Sequence, residues 1–126
     1  MPRTHQFLAR VVLLSLLFSP AAQADVTHVV FSWFKPDAPA GALEAAIENG
    51  AGLAGIPGVL ELRSGAAVPS ERSIVDDSFD IGLTMRFADI ETMNAYLAHP
   101  DHVAYVETFI KPYAARILVY DIQDQN

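Results

Sequence analysis

The sequence predicts an α+β domain built on one four-stranded antiparallel sheet, and three observations carry that prediction. Short β-branched and aromatic runs alternate with two stretches of helical periodicity in the order β-α-β-β-α-β. Proline, glycine and aspartate mark the junctions between them. The 126 residues include no cysteine, which excludes disulfide scaffolds, thiolate metal sites and cysteine nucleophiles and leaves one small domain to be held by packing.

Residues 1–24 are expected to stand apart from that domain as a cleaved signal peptide. Arg3 and Arg10 flank a polar start, Val11 to Phe18 is a short apolar run, and Ala22-Gln23-Ala24 is a small-x-small cleavage site. The run stops at Ser19-Pro20, short of the roughly 20 apolar residues that a membrane span needs. Residues 25–126 are therefore expected in the periplasm or outside the cell, with no membrane attachment after cleavage. Loss of Arg3 and Arg10 leaves six basic residues against fifteen acidic ones, a surface that repels nucleic acid and anionic lipid.

Val26 to Phe34 is the first strand. Val29, Phe31 and Trp33 point one way and His28, Val30, Ser32 and Phe34 the other, and both faces are largely apolar, as in a strand covered on two sides. Lys35-Pro36-Asp37 ends it, because proline cannot donate to a ladder. Between Ala40 and Leu53, the positions Leu43, Ala46, Ile47, Gly50 and Leu53 keep helical spacing, entered through Pro39 near the first turn. Interior glycines cost about 1 kcal/mol each relative to alanine, so this helix is expected to fray after Asn49.

Ile56-Pro57-Gly58 turns the chain into a second strand that opens at Val59 and has room to run to Val68. Pro69 to Ser78 is polar and reads as a long exposed hairpin loop. Phe79 to Phe87 is the third strand, with Ile81, Leu83, Met85 and Phe87 on one face. Asp89 is placed to cap a helix striped by Ile90, Met93, Tyr96 and Leu97. His99-Pro100 breaks that helix, and Val103, Val106, Phe109 and Ile110 stripe a second piece that stops before Pro112. Arg116 to Gln123 is the last strand.

This order is the ferredoxin-like split βαβ arrangement. Right-handed crossovers put both helices on one face of the sheet and leave the other bare. A face carrying Val29, Phe31 and Trp33, or their opposite-parity partners, is too apolar for water. A homodimer that sandwiches two sheets is the expected remedy.

Five segments together resemble a known family. They are His28-Val29-Val30-Phe31, Phe34-Lys35-Pro36-Asp37, Ile56-Pro57-Gly58-Val59, Phe79-Asp80-Ile81-Gly82-Leu83 and Tyr96-Leu97-Ala98-His99-Pro100-Asp101-His102-Val103. In order and spacing they are similar to the stress-responsive A/B-barrel (Dabb) family across residues 25–126. The resemblance implies a dimeric α/β barrel closed by two ferredoxin-like sheets. It does not settle activity, since one fold hosts many. A plant olivetolic acid cyclase of this type closes a polyketide ring without a cofactor, using a histidine and a tyrosine. Carried over, the resemblance implies His102 as the catalytic histidine, Tyr96 as the catalytic tyrosine and His28 as the histidine of the first strand. A further cyclase histidine falls on Ile81, which removes a polar pocket group and argues against the same substrate.

Read from the residues themselves, His102 follows Pro100 where a helix restarts, and an imidazole there serves either as a general base or as a helix cap. Tyr96, six residues earlier, either shares a cavity with it across the kink or is a core aromatic with its hydroxyl at the surface. His28 is either a satisfied core histidine or a ligand contact. His99 reads as structural, its ring bonding the frayed helix end before Pro100. The spacing of His99 and His102 suits a metal pair, but Pro100 breaks the helix that would align them and no third ligand is evident, so no metal is assigned. Asp76, Asp77 and Asp80 form an acidic cluster, read as a solvated face or a weak divalent-cation site. No cofactor is implied, for the chain carries no Gly-rich phosphate loop.

Two classes of function follow. In the first, an exported homodimer holds a small apolar or carbonyl compound in a cavity walled by His28, Val30, Ser32, Leu83 and Met85. In the second, the same cavity is a cofactor-free lyase or cyclase site, with His102 as base and Tyr96 polarising the substrate oxygen.

Overall fold

The computed structural model describes residues 24–125, and the expected signal peptide lies outside them up to Gln23. Strands β1 (Val26–Phe34), β2 (Glu61–Gly65), β3 (Ile81–Phe87) and β4 (Ala114–Gln123) form one sheet in the order β2-β3-β1-β4. Every neighbouring pair is antiparallel. Helix α1 (Ala42–Gly50) runs into a 3-10 turn at Ala51–Gly55. Helices α2 (Ile90–Leu97) and α3 (Pro100–Tyr105) flank the break at His99, and α3 passes into a π-helical turn at Val106–Ile110. The arrangement is the ferredoxin-like α+β fold that the element order predicts.

Parity along β1 places the core. Val26, His28 and Ser32 are buried, and so are Ile81, Met85 and Phe87 of β3. Met93 and Tyr96 of α2 pack on Val26, Met85 and Phe87, so the even-numbered face of β1 is the helix side. Asp89 caps α2 by accepting the Thr92 N–H at 2.7 Å, a contact worth about 1 kcal/mol.

Several local expectations are corrected. Pro39 lies outside α1, whose N-cap is Gly41 at φ 87°, a left-handed conformation that a β-carbon disfavours. β2 opens at Glu61 and ends at Gly65, and β3 starts at Ile81. Phe79 leaves the strand path because its ring packs on the bare face, 4.8 Å from Phe31 and 6.5 Å from Trp33 between centroids. The acidic residues hold the loop in shape. Asp77 accepts the Ser70 N–H, Asp76 accepts both donors of Ser78, and Asp80 accepts the Phe34 N–H at 2.7 Å.

The bare face carries Val29 and Phe31 of β1, opposite Tyr120 and Leu118 of β4. Trp33 lies beneath the Arg116 guanidinium, 4.5 Å from its ring centroid, and donates to the Ser78 hydroxyl. Tyr120 and Ile122 are each 53% exposed. Among the described residues, no helix covers this apolar stripe.

Candidate functional site

The site is built at the break in the second helix. Leu97 ends α2, and its carbonyl would be left without an intrahelical donor there. His102, one turn into α3, supplies that donor: its Nδ1 lies 2.9 Å from the Leu97 oxygen. A carbonyl can only accept, so Nδ1 carries the proton and Nε2 holds the lone pair. His99 does the complementary job at the start of α3, where its Nδ1 accepts the Asp101 N–H at 3.2 Å. The expectation that His99 bonds the end of the preceding helix is thereby corrected, since the extended backbone at His99 turns its ring forward. His102 takes the backward role and is a cap and a cleft residue at once.

This stitching brings Tyr96 and His102 together, with ring centroids 4.7 Å apart. Tyr96 also makes an edge contact with His28, 6.4 Å between ring centroids. The phenol thus neighbours two imidazoles, one drawn from β1 and one from α3. All three line one cleft of about 240 Å³ between the sheet and the broken helix, together with Val30, Ser32 and Leu83. Met85 does not line it. It shares the predicted face, opposite His28 in register, but α2 closes over it and leaves it 1% exposed in the core beside Phe87 and Tyr96.

The cleft walls are aliphatic where the cyclase resemblance would place a histidine, with Ile81, Ile110, Ile117 and Val119 around Leu83. Ile117 and Val119 remain 43% and 44% exposed, because β4 is an edge strand that the helices do not reach across. The mouth of the cleft therefore lies along β4. Among the described residues, no lysine or arginine lines it.

Burial pushes the Tyr96 phenol above the usual tyrosine range and keeps it protonated. Its hydroxyl has no protein partner among the described residues, yet no fully sealed side-chain polar atom there lacks one, so the O–H opens onto the cleft. Burial also lowers the His102 pKa, opposed by the bond to Leu97 and reinforced by His28, which favours a neutral ring with a free Nε2. Tyr105 contributes a wall only. Its hydroxyl donates to the Ala46 carbonyl at 2.8 Å, and burial pushes its pKa up to about 12.

Asp121 was missed by sequence reasoning. It pairs with His28 across the β1–β4 register and its Oδ1 lies 2.6 Å from His28 Nδ1. The available signal was parity: Asp121 is the polar member of the Ile117, Val119, Asp121 series, which shares a face with His28 once β4 is paired with β1. Tyr105, Ile117 and Val119 were likewise invisible as cleft residues, because only the tertiary path of the π-turn and the edge strand brings them there.

A single four-stranded antiparallel sheet with helices on one face and a small cleft beneath a broken helix defines a ferredoxin-like α+β domain. The chain belongs to the stress responsive A/B barrel domain (Dabb) family, whose profile matches residues 26–124. It is similar to a Dabb family protein with a ferredoxin-like fold from Mesorhizobium loti, at 24% identity over 82% of this chain and 100% of that one, with a TM-score of 0.66. A hydroxynitrile lyase from Passiflora edulis is similar at 18% identity over 82% and 96% of the two chains, TM-score 0.71. A dimeric ferredoxin-like protein of unknown function from Thermobifida fusca aligns at 19% identity over 81% and 92%, TM-score 0.67. At these identities the likeness establishes the fold alone. No curated protein matches the chain. Among the described residues, no helix is long and apolar enough to cross a membrane.

Proposed function

We propose that this chain is an exported homodimer whose cleft binds a small, largely apolar compound through a carbonyl oxygen. The observation that carries the reading is the Tyr96 hydroxyl: a donor on a side chain 2% exposed, held protonated, unpartnered within the described protein and open to an aliphatic cleft. Because the O–H opens onto the cleft, it is free to donate to a ligand oxygen there. The cleft is smaller than the roughly 300–1,000 Å³ of drug-sized pockets and favours a single-ring compound. Absence of a cationic side chain from its walls disfavours carboxylates and phosphates.

The homodimer rests on the apolar stripe of Val29, Phe31, Leu118, Tyr120 and Ile122, and on the description of structural neighbours from Thermobifida fusca, Bacteroides fragilis and Jannaschia as dimeric. Export rests on the character of residues 1–24 alone. The reading is tested by extracting purified residues 25–126 and identifying co-purified compounds by mass spectrometry. A neutral carbonyl compound retained by the native protein and lost from Tyr96→Phe is expected; extracts that are the same for both proteins contradict it.

A second reading, a cofactor-free lyase or cyclase, is favoured by the fixed tautomer of His102. Nε2 would remove a proton from the carbon next to the carbonyl, the C–H electron pair would move into the enolate, and the Tyr96 O–H would stabilise the oxygen charge. That a similar fold serves a lyase in Passiflora edulis is compatible with such chemistry. Exchange of the α-hydrogens of acetophenone's methyl group in deuterium oxide measures the step. Acceleration by native protein and its loss in His102→Ala are expected, and exchange at the buffer rate removes the enzymatic reading while leaving the binding one.

A further inference from the structure

We infer that Asp121 is a positioning residue of the cleft and that, with His28, it reads a hydroxyl group beside the carbonyl, so that the ligand is a neutral hydroxy-ketone or hydroxy-aldehyde. This rests on the carbonyl-binding reading above and adds the second functional group.

His28 is buried on the helix face of β1, while its Nδ1 is turned to the Asp121 carboxylate at 2.6 Å. A carboxylate accepts, so in the neutral ring Nδ1 carries the proton and Nε2 is the acceptor left for the cleft. The same logic at the other side makes His102 Nε2 an acceptor, because the Leu97 carbonyl takes its Nδ1 proton. Tyr96, 6.4 and 4.7 Å from the two rings, is a donor. The cleft therefore presents two acceptors and one donor, the donor's ring neighbouring both imidazoles. A ligand complements Tyr96 and His28 with an oxygen acceptor and an adjacent O–H. An aliphatic ketone alone leaves His28 Nε2 unpaired, and a carboxylate meets a lone pair with a negative charge. Asp121 touches no ligand in this scheme. It keeps the His28 tautomer and ring direction, as carboxylates do behind other oriented imidazoles.

The test compares acetophenone with α-hydroxyacetophenone, titrated by calorimetry at an alkaline pH where imidazoles are neutral. Native protein is expected to bind the hydroxy-ketone roughly tenfold more tightly, the worth of one good hydrogen bond. In Asp121→Ala the ratio should fall towards one, and in Asp121→Asn, which keeps an acceptor oxygen, it should be largely retained. Imidazole ¹⁵N shifts provide a readout without ligand: His28 is expected as the Nδ1–H tautomer in native protein and as a mixture in Asp121→Ala. Retention of the tenfold ratio or of the single tautomer in Asp121→Ala overturns the assignment while leaving carbonyl binding intact. Failure of both ketones to bind the native protein overturns the parent reading and the ligand class with it.

Discussion

His102 donates its Nδ1 proton to the Leu97 carbonyl at 2.9 Å, across the proline that separates two helical pieces. One bond thereby closes a helix end and sets which nitrogen faces the cleft. The bond makes His102 a helix cap, and it leaves Nε2 free to serve as the base of the second proposed reading.

The first prediction concerns pH. Burial, reinforced by His28 and opposed by the Leu97 bond, holds the folded His102 pKa below the usual 6.5, so the unfolded chain binds this proton more readily. Stability from neutral His102 is full above that usual value and lost as pH falls through the lower folded value. Between about pH 7 and about pH 5, the thermal midpoint of native protein should fall more steeply than that of His102→Gln, followed by circular dichroism. Parallel curves would place His102 in solvent.

Assembly is tested on the sheet face that lacks helices. Ile122 is half exposed in the protomer, so Ile122→Asp should leave the fold intact and convert the particle in light scattering from twice the chain mass to once. Trp33→Asp removes in addition the Arg116 and Ser78 contacts, and should dissociate or unfold the protein. Native protein that scatters as a monomer at micromolar concentration would sink the dimer.

A third prediction tests how the turn before β2 seats α2. Gly58 has φ 94°, and a β-carbon there would lie 2.4 Å from the Thr92 methyl. Gly58→Ala should lower stability by about 1–3 kcal/mol from backbone strain and the clash together. Adding Thr92→Ala should restore part of the loss in denaturant titration, the rest being strain. Full restoration would deny the strain, and none would deny the contact.

Much of this arrangement is legible in the sequence. The parity of β1 follows from His28, Val30 and Ser32 alternating with Val29, Phe31 and Trp33, and the helix break from Pro100. What escaped was decided by partners distant in sequence. Asp121 gains its role only from the β1–β4 register. Met85 has the right parity, but its depth depends on how closely α2 descends. Phe79 reads as strand because an aromatic residue favours one, whereas its ring finds more contact against Phe31 and Trp33. Whether His99 bonds forwards or backwards was settled by one extended backbone angle, which no periodicity records.

The proposed binding mode depends most heavily on the Tyr96 hydroxyl as the donor that a ligand oxygen meets. The direct measurement is calorimetric titration of native protein and Tyr96→Phe with acetophenone, alongside their denaturant midpoints. Because the hydroxyl has no partner among the described residues, its loss should leave stability unchanged or slightly higher. Affinity should fall by about tenfold. Equal affinity of the two proteins for the ketone, or a Tyr96→Phe protein that loses stability while keeping its binding, would contradict it.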